Sequence, residues 1–253
     1  MAMKVATWNV NGIRARHEQL LAWLAEERPD VVCLQELKAS VEQLPEALTA
    51  LHDYATCWHG GAVKGYAGVS LHVRKAAFAT WTPKFTHPAF DHECRAVEVD
   101  IEGTVFSSLY VPNGGKDFGA KLAFYESLIA HVGRLHAAGK RLVLLGDFNV
   151  AREERDVHPS QRKADMIGQR PDERALFSRL LDAGLVDVHR AMHPDDERLF
   201  TWWPMWKAAR ERNLGWRLDY VLASEALAAE AKGCEVRRAI GTSDHAPVVA
   251  ELG

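Results

Sequence analysis

The sequence predicts a mixed α/β fold, with β-sheets that carry helices on their outer faces. Three observations lead there. Segments with helical periodicity alternate with short apolar runs, a pair of strand-like runs joined by a Glu-Gly turn interrupts that alternation, and polar residues suited to chemistry fall at the ends of the runs. The turn matters because it implies antiparallel pairing, which disfavours a purely parallel, doubly wound sheet.

Each element has its own reason. The opening MAMKVATWNV is strand-like and ends at Asn9. HEQLLAWLAEERPD (17–30) reads as an amphipathic helix stopped before Pro29, and VVCLQ (31–35) follows as a buried strand. CRAVEVDIEGTVFSSLYVP (94–112) reads as two strands around Glu102-Gly103. KLAFYESLIAHVGRLHAAGK (121–140) sets Leu122, Tyr125, Ile129 and Val132 at helical spacing and ends at Gly139. RLVLLGDFNV (141–150) returns to a buried strand, and residues 152–174 read as a long loop entering a helix near Pro171. Residues 216–223 are expected to be extended, and APVV (246–249) to be a final strand.

The 253 residues hold no linker, low-complexity tract or internal repeat, so one domain over 1–253 is expected. No run approaches a membrane span, and the opening lacks the apolar core of a signal peptide. Cys33, Cys57, Cys94 and Cys234 are scattered, three of them in strand-like segments; they read as buried free thiols in a protein of the reducing cytoplasm. The net charge of −3 removes the easiest argument for nucleic acid, so any such binding must be local. WKAARERNLGWR (206–217) sets Lys207, Arg210, Arg212 and Arg217 against Glu211 alone, with Trp206 and Trp216 interleaved. That is a phosphate-and-stacking composition, shared equally by a solvated helix face with inward tryptophans.

The candidate chemistry sits at strand ends, where α/β folds keep their sites. Glu36 follows VVCLQ, Asp147 follows LVLLG, Asn9 ends VATW, Asp219 lies in WRLDYVLAS, and Asp244-His245 precede APVV. A single carboxylate after a strand is usually a cap or turn residue; the repetition is the signal. Acidic side chains and amides without a Cys/His cluster suit Mg²⁺ or Mn²⁺ rather than zinc, and a hard ion with few protein ligands usually works on phosphate. His245 beside such a site could stabilise charge or take a proton if a carboxylate, here Asp219, fixes its tautomer.

TWNVNGIRAR (7–16), LQELK (34–38), YVPNGG (110–115), LLGDFNVA (144–151), GWRLDYVLAS (215–224) and SDHAPVV (243–249) together resemble, in order, the motifs of the exonuclease III family of abasic-site endonucleases, within the endonuclease/exonuclease/phosphatase superfamily. The resemblance spans nearly the whole chain. It implies a four-layer α/β sandwich, two mixed sheets face to face with helices outside. It also implies Glu36 as principal metal ligand, with Asp244 and Asn9 beside it. Asn9 and Asn149 would orient phosphate or metal-bound water, Asp147 would activate the attacking water, Tyr110 would touch the phosphate or leaving group, and His245, held by Asp219, would stabilise developing charge. Asn113 would bind substrate. Trp202, Trp216 and Leu218, in a cluster that also contains Trp203, would line a pocket for a flipped-out baseless sugar, which costs less to extrude than a stacked base. If that stretch is extended, Trp216 and Leu218 share a side. Arg14, Arg16, Lys38, Lys64, Lys116 and Arg217 would contact the DNA backbone or stand, each as readily, as solvated surface charges. In this chain GQR before PDER (171–174) replaces a more apolar family stretch, leaving open how that loop packs on DNA.

The implied activity is Mg²⁺-dependent hydrolysis 5′ to abasic sites in duplex DNA, with 3′-to-5′ exonuclease and 3′-phosphatase activity on blocked 3′ ends, by a monomer. The alternatives are a 3′-end-processing member with little abasic-site activity, another phosphoesterase of the superfamily, and a non-catalytic nucleic-acid-binding protein.

Overall fold

The computed structural model describes residues 3–61, 63 and 65–253. Lys64, expected on the DNA backbone, lies outside the described residues. The strands are β1 (Met3–Asn9), β2 (Val31–Gln35), β3 (Tyr54–His59), β4 (Val69–Arg74), β5 (Phe85–Thr86), β6 (Ala96–Ile101), β7 (Thr104–Tyr110), β8 (Arg141–Asp147), β9 (Leu185–Asp187), β10 (Asp219–Ser224), β11 (Gly233–Val236) and β12 (Val248–Leu252). The α-helices are α1 (Ile13–Glu27), α2 (Glu46–Thr49), α3 (Phe118–Ala137), α4 (Pro171–Asp182), α5 (Val188–Met192) and α6 (Glu225–Ala228). The strands form two six-stranded sheets, in the orders β11-β12-β1-β2-β4-β3 and β5-β6-β7-β8-β10-β9. Each sheet is mixed: β1–β2 and β7–β8 are parallel, while the other pairs are antiparallel.

Side chains alternate across a strand, so an apolar run without alternation means that both faces are buried. In β8, Val143 and Leu145 join the core between the sheets, while Leu142 and Leu144 join α3 and α4 on the outer face. In β2, Val31 and Cys33 point inward and Val32 and Leu34 pack toward α1, against Trp8, Leu20 and Trp23. Helix, sheet, sheet and helix therefore make the expected four layers.

The elements read from sequence recur with shifted ends. The first helix begins at Ile13, four residues before the sequence reading, because Gly12 at φ +99° turns the chain directly out of the β1 loop. The second begins at Phe118, where the Asp117 side chain accepts from Ala120 N at 2.9 Å. Pro171 opens α4 as expected. Cys33 and Cys234 are buried free thiols in β2 and β11, Cys57 is half-buried in β3, and Cys94 lies outside the strands and is also only half-buried. Residues 206–217 form no helix: 207–213 are turns, and Trp216 makes antiparallel bridges to Val157 and Trp202.

Candidate active site

Six strands bring the site together at one rim. Asn9 ends β1 opposite Gln35, so Glu36, the next residue, emerges beside it. Tyr110 pairs with Asp147 at the end of the β7–β8 ladder, and Asp219 pairs with the same Asp147 at the start of antiparallel β10. His245 lies just before β12, the antiparallel partner of β1. The approach of β7 and β8 depends on Gly146, where a Cβ would fall 1.9 Å from the Leu109 carbonyl oxygen. Asn11, Glu36, Lys38 and Asn149 all have φ between +44° and +54°, a left-handed backbone that costs non-glycine residues about 1 kcal/mol or more each and that clusters at functional sites.

The polar contacts form one connected network. Asn9 Nδ2 donates to Glu36 Oε1 at 3.0 Å and to Asp147 Oδ2 at 2.9 Å, while its Oδ1 accepts from Asn11 N. The Tyr110 hydroxyl donates to Glu36 Oε1 at 2.8 Å, and Lys38 Nζ lies 2.7 Å from Glu36 Oε2. Asn149 gives Asp147 a backbone N–H at 2.8 Å and its own amide at 3.3 Å, and its Oδ1 accepts from Asn113. His245 Nδ1 meets Asp219 Oδ2 at 2.8 Å, and Nε2 faces Asp147 Oδ2 at 3.8 Å.

Electrostatics separates these groups. Burial pushes the Asp147 carboxyl up to about 7, with Asp219 and Glu36 adding to the rise and His245 opposing it. Burial alone would lower the His245 imidazole, but Asp219 and Asp147 raise it to about 10. Burial also opposes charge on Glu36, yet hydrogen bonds from Lys38 and Asn9 hold it below the usual carboxylate range. The Tyr110 phenol is raised by burial and by Glu36 and Asp147, so it remains a donor. The rim therefore presents an ionised Glu36 beside an Asp147 carboxyl and a His245 imidazole that are both raised and hold their charge jointly.

Glu36, Asp147 and His245 each offer a ligand atom, all within 4.8 Å of one another. Glu36 has four lone-pair positions and three partners, which leaves one for an ion. The two other expected metal ligands, Asn9 and Asp244, are held in hydrogen bonds of the rim. Asn9 turns its NH₂ to Glu36 and Asp147, clamping the two carboxylates together, and accepts the Asn11 N–H on its oxygen. Asp244 stands outside the cluster, its oxygens engaged by Asn11 Nδ2 at 2.8 Å and Trp202 Nε1 at 3.0 Å. Asn11, whose only sequence signal is its place in TWNVNGIRAR, bonds Lys38 as well as Asp244 and so ties the two sides of the rim.

Trp216 and Leu218 share a cluster with Ala151 and Val157, and Trp202 packs against it edge-to-face at 5.4 Å. The indole N–H of Trp216 turns away to Gln161, which leaves apolar ring surface over the cluster. Gly168 backs onto this wall, where a Cβ would lie 2.9 Å from Trp216. Trp203 does not belong here: it is buried with Phe200, Ala209 and Ala246.

The expected DNA contacts divide. Arg14 and Lys116 are exposed, as is Asn113. Lys38 is held on Glu36, and Arg16 donates to the carbonyls of Asn11 and Thr242. Arg217 is corrected: its side chain is fully buried, bidentate to Asp156 and bonded to Asp187, and so cannot reach a phosphate. Arg210 is likewise committed, to the carbonyls of Arg238, Ile240 and Ser243.

Comparison with known proteins agrees with this geometry. Residues 6–245 match the model of the Endonuclease/Exonuclease/phosphatase family. The chain is 33% identical to an exodeoxyribonuclease of Bacillus subtilis (strain 168), over 97% of this chain and 98% of that protein. It resembles the solved AP endonuclease from Archaeoglobus fulgidus at 31% identity and a TM-score of 0.87, covering 98% of both chains. It resembles equally the 3′ phosphatase NExo from Neisseria bound to a product DNA hairpin, at 33% identity, a TM-score of 0.87 and 99% of both chains.

Proposed function

Because the chain belongs to the endonuclease/exonuclease/phosphatase family, we propose that it is a Mg²⁺-dependent DNA-repair nuclease. It hydrolyses the phosphodiester 5′ to abasic sites in duplex DNA, and it trims or dephosphorylates 3′ ends. The observation that carries the reading is the juxtaposition of an Asp219–His245–Asp147–Glu36 line with an apolar tryptophan wall. No described helix is long and apolar enough to cross a membrane.

The donor set fits a hard divalent ion, with Glu36 as its main ligand because Glu36 is the carboxylate that stays ionised. Such an ion supplies Lewis acidity and a template for in-line displacement when bound. The chain's residues do the rest. Asp147, poised near neutrality, takes a proton from water as the water oxygen bonds to phosphorus. The His245 imidazolium, oriented by Asp219, donates toward the phosphate oxygen on which charge grows. The P–O3′ bond breaks with its electron pair on O3′, which takes up a proton from solvent water, leaving a 3′-hydroxyl and a 5′-phosphate. Tyr110 and Asn149 hold the reacting groups, and Asn113 and the exposed Arg14 meet the backbone. Trp202, Trp216 and Leu218 accept the baseless sugar and leave no room for a base. One chain carries every named group, which supports a monomer, and the buried thiols of Cys33 and Cys234 support a reducing cytoplasm.

The test is a gel assay on a duplex with one stable abasic analogue, with Mg²⁺ or EDTA, beside the intact duplex. A single Mg²⁺-dependent cut immediately 5′ to the analogue supports the reading. Stepwise loss from 3′ ends without incision would favour a 3′-end-processing enzyme, a second reading supported by the likeness to the Neisseria 3′ phosphatase.

A further inference from the structure

Behind the site, Tyr66, Arg95 and Tyr110 form a stack. The guanidinium carbon of Arg95 lies 4.8 Å from the ring centroid of Tyr110 and 5.1 Å from that of Tyr66. Strand register puts it there: Ala96 pairs with Leu109, so the next residues outward, Arg95 and Tyr110, face each other across the hairpin. Their backbones confirm it, with Tyr110 N donating to Arg95 O at 2.8 Å.

Arg95 is only 3% exposed, although its ionic partner Glu93 sits largely in solvent. A surface ion pair does not require burial of this kind. The rest of the guanidinium is committed on both sides: NH2 donates to the hydroxyl of the exposed Tyr66 at 2.5 Å, and NH1 reaches the Tyr110 carbonyl at 3.4 Å. Both oxygens of Asp91 accept from the Arg95 backbone N–H, which fixes where the side chain starts. At the other end of the stack, Tyr110 meets Glu36. A phenol on a rotatable side chain would not hold that position unaided.

We infer that Arg95 is a positioning residue for the reaction: lying over the Tyr110 ring, it fixes the Tyr110 hydroxyl on Glu36. It touches no reacting atom, and Tyr66 covers the face of the guanidinium away from Tyr110. The inference rests on the nuclease reading for its effect on rate, but the placement of the Tyr110 ring stands apart from it.

The test uses Arg95→Met, Arg95→Lys, Tyr110→Phe and the double variant Arg95→Met/Tyr110→Phe. On the abasic duplex, Arg95→Met is expected to lower kcat about tenfold with KM nearly unchanged, the scale of one cation–π contact and one hydrogen bond. Arg95→Lys, which keeps the cation without the planar fork, recovers part of that loss. In the Tyr110→Phe background Arg95→Met costs nothing further. Independently of turnover, NMR of metal-free protein with ¹³C-labelled tyrosine should show the Tyr110 resonance, assigned by its absence in Tyr110→Phe, displaced in Arg95→Met. An equal fall in kcat in both backgrounds, or an unmoved Tyr110 resonance, overturns the inference. Absence of any cleavage by the wild type overturns the nuclease reading and the claimed effect on rate, while the NMR result still decides whether Arg95 holds the ring.

Discussion

Glu36 and Asp147 are both carboxylates held by Asn9, yet their acidities are pushed in opposite directions. Lys38 and Asn9 hold Glu36 ionised against its burial, whereas Asp147 lies deeper, beside Asp219 and Glu36, and is pushed up to about 7. One side chain is thereby suited to an ion and the other to a proton. Glu36→Ala should raise the Mg²⁺ concentration for half-maximal activity by roughly tenfold or more, as expected for loss of a main ligand; a metal titration superimposing on the wild type would remove Glu36 from that role. Asp147→Asn should leave binding to the abasic duplex intact in a gel shift while lowering single-turnover cleavage by about 10² to 10⁴, the range for loss of a general base. Lost binding with normal cleavage of the bound fraction would reject it.

At the scale of elements, the segment entering β10 does two jobs through alternation. Trp216 and Leu218 face the apolar wall, while Arg217 between them points the other way, into Asp156 and Asp187. This strut fastens the loop after β8 and the end of β9 to the strand that delivers Asp219. It also holds Asp156 below the usual carboxylate range, mainly through the Arg217 charge against the cost of burial. Arg217→Met leaves buried Asp187 without its cation and Asp156 with Arg190 alone, and should cost about 3–5 kcal/mol in urea unfolding. A loss below about 1 kcal/mol, the size of an exposed ion pair, would show the network to be dispensable.

The whole molecule carries a pH dependence set by burial. His72 in β4 is fully buried, with Ser70 Oγ 2.8 Å from Nε2, and burial lowers its imidazole from 6.5 to about 3. It folds neutral, whereas the unfolded chain takes up a proton below pH 6.5. Its contribution to stability is therefore fully present above pH 6.5 and is lost as pH falls toward 3, at about 1.4 kcal/mol per pH unit. Urea midpoints between pH 7 and pH 4 should fall more steeply for the wild type than for His72→Gln, which has no group to protonate; identical slopes would place the imidazole in its charged form inside the fold.

The sequence by itself determined the strands whose two faces are buried, the helices with apolar stripes, the single hairpin turn and the polar residues at strand ends, because period and punctuation are local properties. VVCLQ matched β2 residue for residue for that reason. Tertiary structure alone decided direction and partnership. The orientation of the Asn9 amide depends on an N–H two residues away and carboxylates from two other strands, and the burial of Arg217 depends on Asp156 and Asp187, 61 and 30 residues distant. The strands β4, β5 and β9 escaped the sequence reading because pairing, rather than their own pattern, defines them. Charge type is written in each residue, but whether that charge meets solvent, an ion or another side chain is fixed only when distant strands are packed together.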